Sequence, residues 1–459
     1  MPGTPKRPAL SGLALLGAAL LATFTAQPAP APPPPLRLIQ LYDQAMADNS
    51  GLKGQELSID QAAAQEDQAL AKLLPQISAI GNINQNSFKQ DASRTPFNTD
   101  GFTVNNYQGV RGVIQARQAL LDLPSVLNYI GAGSTVLQAN QELAAARMAL
   151  GADLIDRYLA VLEAGDELGY IAGEKELTAR QAARLRSMLE RQMALITDVY
   201  EVEAYLQALA TREIEADSAR SIALERLRES TGLPVPAVAP LTREQLPDGP
   251  GNVDDWVAEA GRSHPTVQAL SHAAEAAEMA VGGARAQHLP QLSLQLSETY
   301  ADNVGFDNRP FPRYESMTAG LQLVVPIYSG GGIEAGVRES AARYHALREK
   351  KAEKLREVER ETRASWLKAR SGRARIESTA REVEARERVR DAQQRGYELG
   401  TSTVVDLLES RKNLIKARFE HAGARYGYVR ALIALRLWSG TLSRNDVEDI
   451  DSWLDKAAK

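Results

Sequence analysis

Two pairs of carboxylates are the first places where this 459-residue chain could do chemistry: Asp198 with Glu201, and Asp406 with Glu409, each set just after a break in a long helical pattern. Carboxylates at helix starts favour the positive end of the helix dipole, and Asp198 with Glu201 resembles a capping pair. Neither pair brings an enzyme's remaining equipment. Cysteine is absent, and the five histidines (His264, His272, His288, His345, His421) are scattered without metal-ligand spacing. Gly330-Gly331-Gly332 follows a strand-like stretch but lacks the lysine of a phosphate loop, so it reads as a turn, as does His264 before Pro265. The residues point to no enzyme, no metal and no cofactor.

The elements around these carboxylates are written twice. Leu74-Pro75-Gln76 returns as Leu289-Pro290-Gln291 at an offset of 215, and Asn49-Ser50 matches His264-Pro265 at the same offset. From Gln118-Ala119-Leu120-Leu121-Asp122, which falls on Pro326-Ile327-Tyr328-Ser329-Gly330, the offset is 208 and stays so through Leu195-Ile196-Thr197-Asp198-Val199 on Thr403-Val404-Val405-Asp406-Leu407. The seven-residue difference therefore lies between Pro75 and Gln118. A repeat this long is a duplicated architecture rather than a short-period solenoid, with halves at 36–245 and 246–459.

Each half carries a helical hairpin. Residues 125–190 contain no proline and are rich in Ala, Leu, Glu and Arg, enough for a helix roughly 100 Å long. Leu150, Leu154, Tyr158 and Leu162 form its apolar stripe. A tip near 192–198 leads to a shorter partner over 201–229, stopped by Gly232-Leu233-Pro234. The second half repeats this over 333–397, a tip near 400–406, and 404–438. The shorter arms cannot cover the longer ones, so 52–73 and 267–287 are expected to complete them end to end. The charged run 348–395 mixes both signs and reads as a solvated helix face.

Before the hairpins sit strand pairs, at about 76–118 and 290–327. Residues 291–297 and 320–323 alternate apolar and polar. The first pair is noisier. Ile77, Ala79 and Ile83 share a face, but Arg111 and Arg117 share parity with Tyr107 and Val113, leaving that register open. Phe88, Phe97, Phe102, Phe306 and Phe311, with Tyr107, Tyr300 and Tyr314, cluster in these hairpins like an interfacial aromatic girdle. Four strands cannot close a membrane barrel, and an open edge is not viable in lipid, so eight strands in a dimer or twelve in a trimer are implied.

Lys6 and Arg7 precede an apolar run over 9–25, the pattern of an export signal over 1–26, followed by a Pro-rich leader over 27–35. With 53 basic and 58 acidic residues interspersed and a net charge of −5, nothing attracts nucleic acid. No later stretch has the roughly 18 apolar residues of a membrane helix, so membrane entry must be as β-structure.

In order and spacing, the Leu-Pro-Gln strand entries, the strand exits at 118–122 and 326–332, and the tips Ala194-Leu195-Ile196-Thr197-Asp198-Val199 and Gly400 to Leu408 resemble the TolC-type outer-membrane channel family (outer membrane factors). Ala424-Arg425-Tyr426-Gly427-Tyr428 and the stretch 437–442 add to the resemblance, which spans about 36–454. It implies a mainly helical fold with β-structure: a homotrimer whose twelve-stranded barrel, four strands per chain, sits in outer-membrane lipid and continues into a long periplasmic α-helical coiled-coil barrel. It further implies a passive exit duct for type I protein secretion or multidrug efflux, working with a periplasmic adaptor (membrane fusion) protein and an inner-membrane ABC or RND-type pump. The missing lipoprotein cysteine and the tips lean towards secretion or a shared duct. An exported coiled-coil scaffold or adaptor without a pore is the alternative, disfavoured by the duplicated strands.

By the same resemblance, the periplasmic gate carboxylates fall on Asp198, Asp406 and Glu409, and Tyr397 matches a tyrosine that ties the closed tip. Rings of such carboxylates make a cation-selective constriction, while the capping role stands beside it, and one residue can serve as both. The tip turns depart from the family pattern: Ser402 stands where an arginine lock can occur, and Gln192 stands where the second tip has Gly400.

Overall fold

The elements recur at the spacing of the sequence repeat. In the computed structural model, which describes residues 36–90, 103–242, 246–304 and 313–454, the order is α1 (Leu38–Asp48), α2 (Ser50–Ala71), β1 (Gln76–Gln90), β2 (Thr103–Leu121), α3 (Leu123–Glu190) and α4 (Ile196–Thr231). There follow α5 (Val253–Ser263), α6 (Pro265–Ala286), β3 (Gln291–Val304), β4 (Arg313–Val324), α7 (Gly332–Glu398), α8 (Val404–Trp438) and α9 (Arg444–Asp451). The expected signal and leader lie outside the described residues, as do Phe97, Phe102, Phe306 and Phe311 and the side chains of Phe88 and Tyr107. Among the described residues no helix is long and apolar enough to cross a membrane.

The strands form one antiparallel sheet in the order β1-β2-β3-β4, so the two halves meet at β2 and β3 while β1 and β4 keep an open edge each. The pairing settles the register that the sequence left open. Arg117 lies opposite Gln76 and Gln295, and Arg111 opposite Asn82 and Ala301, on the face that also carries Ser78, Gln115, Ser297 and Thr318. Val113 and Ile80 share that polar face, which is why β2 alternates poorly. The opposite face carries Ile77, Ile83, Val110, Ile114, Leu296 and Leu321, and is interrupted by Glu298. Of the two described girdle candidates, Tyr300 shares the apolar face, whereas Tyr314, opposite Ala301, does not. The apolar band continues past the strand ends to Ile327 and Tyr328, which are 95% and 87% exposed.

In the first half strand passes to helix almost without a linker, whereas residues 325–331 separate β4 from α7 in the second. Asp122 alone separates β2 from α3, its carboxylate accepting from the Ser125 backbone N–H at 3.2 Å and the Ser125 hydroxyl at 2.7 Å. This cap and Pro124 in the first turn launch a helix of 68 residues, about 100 Å long. As expected, α2 and α4 both pack on α3, and α6 and α8 on α7; α6 also packs on α3, tying one half to the other.

The main core lies midway along the helices. Leu154, Ile155, Tyr158, Leu159 and Leu162, the α3 stripe, pack with Leu38 and Leu41 of α1, Tyr428 and Ile433 of α8, and Val447 and Ile450 of α9. Several buried polar groups here are partnered, although Arg37 Nε is not. Tyr158 donates to the Ala239 carbonyl at 2.8 Å, Tyr428 to the Pro247 carbonyl at 2.8 Å, and Arg37 pairs with Asp451 at 2.6 Å.

One buried titratable group distinguishes the halves. Asn49 caps α2, accepting from the Gly51 and Leu52 backbone N–H groups at 2.9 and 3.2 Å. Its counterpart His264 makes no such cap and stacks on Trp438, centroids 6.1 Å apart. Gly440, at φ 74°, closes over it so tightly that a Cβ there would lie 2.7 Å from the His264 Cα. Burial, helped by Lys354, pushes the His264 pKa down to about 4. An unfolded histidine takes its proton near pH 6.5, so the stability held by the neutral ring is complete above that pH and is lost as pH falls towards 4, at most ~3 kcal/mol per subunit. The wild-type thermal midpoint is therefore expected to fall more between pH 7 and pH 4.5 than that of His264→Leu; equal falls in a scanning-calorimetry comparison would contradict this.

Candidate periplasmic gate

The two tips are built alike from different residues. At the second, α7 ends at Glu398, Gly400 takes φ 76°, and the Thr401 N–H reaches back to the Gly396 carbonyl at 2.8 Å. At the first, Gln192 occupies the matching place at φ 60° and the Met193 N–H reaches the Met188 carbonyl at 2.8 Å. Among the described residues Gln192 is the one non-glycine with positive φ. An L-residue there costs about 1–2 kcal/mol. The turn geometry thus wins over the residue's own preference.

Beyond the turns, the four candidate gate residues have different partners. Asp406 sits three residues after the N-cap Thr403 and closes a capping box with it: the Thr403 backbone N–H and hydroxyl donate to Asp406 Oδ2 at 3.1 and 2.6 Å, and the Asp406 N–H donates to the Thr403 hydroxyl at 3.2 Å. These hydrogen bonds hold the Asp406 carboxyl below the usual range, the hydroxyl contributing most. Asp406 is nonetheless exposed, as is Glu409 on the same helix, where Asn413 donates to Glu409 at 3.3 Å and Lys412 lies at 3.7 Å.

Asp198 behaves differently from the expected capping pair with Glu201. The N-cap of α4 is Leu195, which makes no side-chain cap, and Asp198 lies in the first helical turn. The helix begins at Ile196, earlier than the sequence pattern suggests, so Asp198 is already inside it. The Asp198 charge acts on Tyr397. Burial first, and the Asp198 charge second, raise the Tyr397 hydroxyl's pKa. The Tyr397 ring packs on a tip cluster of Ala182, Leu185, Val199, Val202, Val404 and Leu408, which joins both hairpins. Ser402, where no arginine is available, lies over Gly396, with its hydroxyl 2.3 Å from where a Cβ would be.

Sequence reasoning missed two features of the tips. Arg411 of α8 donates through Nη2 to Gln394 of α7 at 3.0 Å and lies 3.8 Å from Glu174 of α3, a pairing between residues far apart in the chain that no local pattern signals. Met193, Leu195, Ile196 and Tyr200 at the first tip and Leu399 and Val405 at the second are exposed, which gives the tips an apolar surface.

The sequence profile of the outer membrane efflux protein family matches residues 256–441. Outer membrane protein TolC of Vibrio cholerae is 25% identical over 92% of this chain and 94% of that protein. The alkaline protease secretion protein AprF of Pseudomonas aeruginosa is 27% identical over 84% of this chain and 82% of that protein. Among solved structures, the outer-membrane channel OprN superposes with a TM-score of 0.75 at 18% identity, covering 88% of this chain and 90% of that one. The Campylobacter jejuni CmeC outer membrane channel gives 0.74 at 16%, covering 92% and 90%.

Replacing Gln192 by glycine is expected to stabilise the first tip by up to ~1 kcal/mol, while Gln192→Val should destabilise it by more than that. Amide hydrogen exchange in the last turn of α3 measures both; slower exchange in the valine variant would contradict the strain assigned to this turn.

Proposed function

Because this chain belongs to the outer membrane efflux protein family of TolC-type channels, we propose that three copies pair β4 of each with β1 of the next and form an outer-membrane exit duct. The observation that carries this is the sheet itself, with one apolar and one polar face and two unpaired edges above helices about 100 Å long. In hydrocarbon those edges must find partners, and twelve strands leave room for an aqueous lumen lined by the Arg111 and Arg117 face. The duct is passive and supplies no energy of its own.

The partners belong to a tripartite export system. In the reading favoured here, the apolar tip surface at Leu195, Ile196, Tyr200 and Leu399 receives a periplasmic adaptor, and an inner-membrane ABC-type pump drives type I protein secretion. The name of the AprF relative, a protease secretion protein, supports secretion over drug efflux. Deleting the gene and comparing the secreted proteins with drug sensitivity separates the two roles. Residues 1–26 act as the export signal. Asp198, Asp406 and Glu409 form the periplasmic constriction, with Tyr397 holding it shut and Gln192, Gly400 and Ser402 shaping its turns.

Leu321→Arg, on the lipid-facing side, is expected to cost about 2–4 kcal/mol and block trimer recovery from outer membranes, whereas Thr318→Arg, facing the lumen, is expected to assemble. Equal recovery of both would overturn the assignment of faces. In planar bilayers, Asp406→Asn keeps an acceptor for Thr403 but loses the charge, so it is expected to lose cation selectivity as fully as Asp406→Ala. Wild-type selectivity in the asparagine variant would leave Asp406 with capping alone.

A further inference from the structure

The polar face of the sheet is charged in one sense only. Among its described side chains Arg111 and Arg117 of β2 are the charged ones, and the rest are amides, hydroxyls, glycine or apolar residues. The carboxylates of the strands, Glu298, Asp302 and Glu315, all stand on the opposite face, where Asp302 pairs with Arg313 at 2.8 Å. Both polar-face arginines are exposed, and among the described residues neither has an ion pair or a side-chain hydrogen bond. Arg117 lies opposite Gln76 and Arg111 opposite Asn82, which sets them six residues apart on one strand, about 20 Å at a strand's rise.

Closing three sheets into one barrel turns this face inward. Two arginines per chain in three copies then place six guanidiniums in one lumen with no acid beside them. A channel lined by one sign of charge between low-dielectric walls focuses its field on whatever passes. The tip carboxylates do not cancel it, because α3 puts about 100 Å between them and the barrel, against a Debye length of about 8 Å at physiological ionic strength. A guanidinium matches a carboxylate in a two-pronged pair, yet each such pair is weak when exposed to water. A lone acid is therefore not retained, whereas a chain of acids engages several arginines together. An extended polypeptide also advances about 3.4 Å per residue, so acids about six residues apart reach both rings at the same time. Such contacts draw a chain in and still let it leave.

We propose that Arg111 and Arg117 form two arginine rings in the barrel that recognise acidic stretches of an extended polypeptide cargo in transit. The proposal rests on the duct reading and gives its cargo a chemistry, acid-rich rather than basic. Single-stranded nucleic acid, with a charge on every residue, calls for a continuous basic groove with stacking aromatics. Two rings set about 20 Å apart do not make one.

The test is block of open channels in planar bilayers by poly-L-glutamate added on the barrel side, with the full-length wild type beside Arg111→Gln, Arg117→Gln and the two together. The wild type is expected to be blocked at a concentration at least about tenfold below that needed for the double variant, with each single variant between them. Raising the salt from about 0.1 M to about 1 M, which shortens the Debye length from about 10 Å to about 3 Å, is expected to remove most of that difference. Equal block of wild type and double variant, or stronger block of the wild type by poly-L-lysine, overturns the proposal. Block by a single-stranded oligonucleotide of matched charge at a lower concentration than polyglutamate overturns the choice of polypeptide. Neither arginine has a partner to lose, so the variants are expected to assemble; if the double variant does not, a shift of about threefold in each single variant is the expected result and no shift in either overturns the rings. A second readout needs no current: fluorescence anisotropy of labelled polyglutamate on the detergent-purified oligomer, with binding weakened at least about tenfold in the double variant. A silent wild type overturns the duct reading, and the anisotropy then still decides whether these arginines bind acidic chains.

Discussion

A backbone amide in hydrocarbon has no water to bond, and that demand governs the molecule. Over most of their length β2 and β3 have a neighbour on both sides, so most of their N–H and C=O groups are answered within the chain. The outer rows of β1 and β4 are not. A single copy is therefore an unfinished object, and completing it fixes symmetry, lumen and lipid face together. The apolar side of the sheet is the side that assembly leaves in lipid, and the polar side, with its two arginines, becomes a wall of the channel.

Below the sheet the physics changes from hydrogen bonding to burial. In helices such as these most of the stability comes from packing an apolar face against partners. The core around Tyr158 and Tyr428 does this midway down, drawing α1, α3, α8 and α9 into one cluster. Towards the tips that cluster gives way to the small one around Leu185 and Leu408.

Much of this was legible in the sequence because the duplication let one half check the other. The long helices, the four strands and both tips fall where periodicity put them. The register of β2 was not legible, because Val113 and Ile80 are apolar residues on the polar face and only the pairing partners reveal it. Asp198 looked like half of a capping pair because helix starts blur by a few residues, and α4 had already begun at Ile196. The left-handed turn at Gln192 could be inferred only from Gly400 at the matching place. Glu174 and Arg411 carry no sequence signal, since ordinary helix-surface residues become a buried pair only once two hairpins lie side by side.

The single-residue passage from β2 to α3 has an evolutionary consequence. Helices packed side by side over many turns tolerate no insertion, since one added residue rotates everything beyond it by about 100° and turns the buried stripe to water. With Asp122 as the only spacer, such a slip has nowhere to be absorbed at the membrane border. After duplication the helical wall kept its length, and the seven residues by which the halves differ lie between Pro75 and Gln118, in the stretch that carries the strand pair. Length has changed in the strand-bearing stretch, where a slip does not turn a buried helical stripe to water.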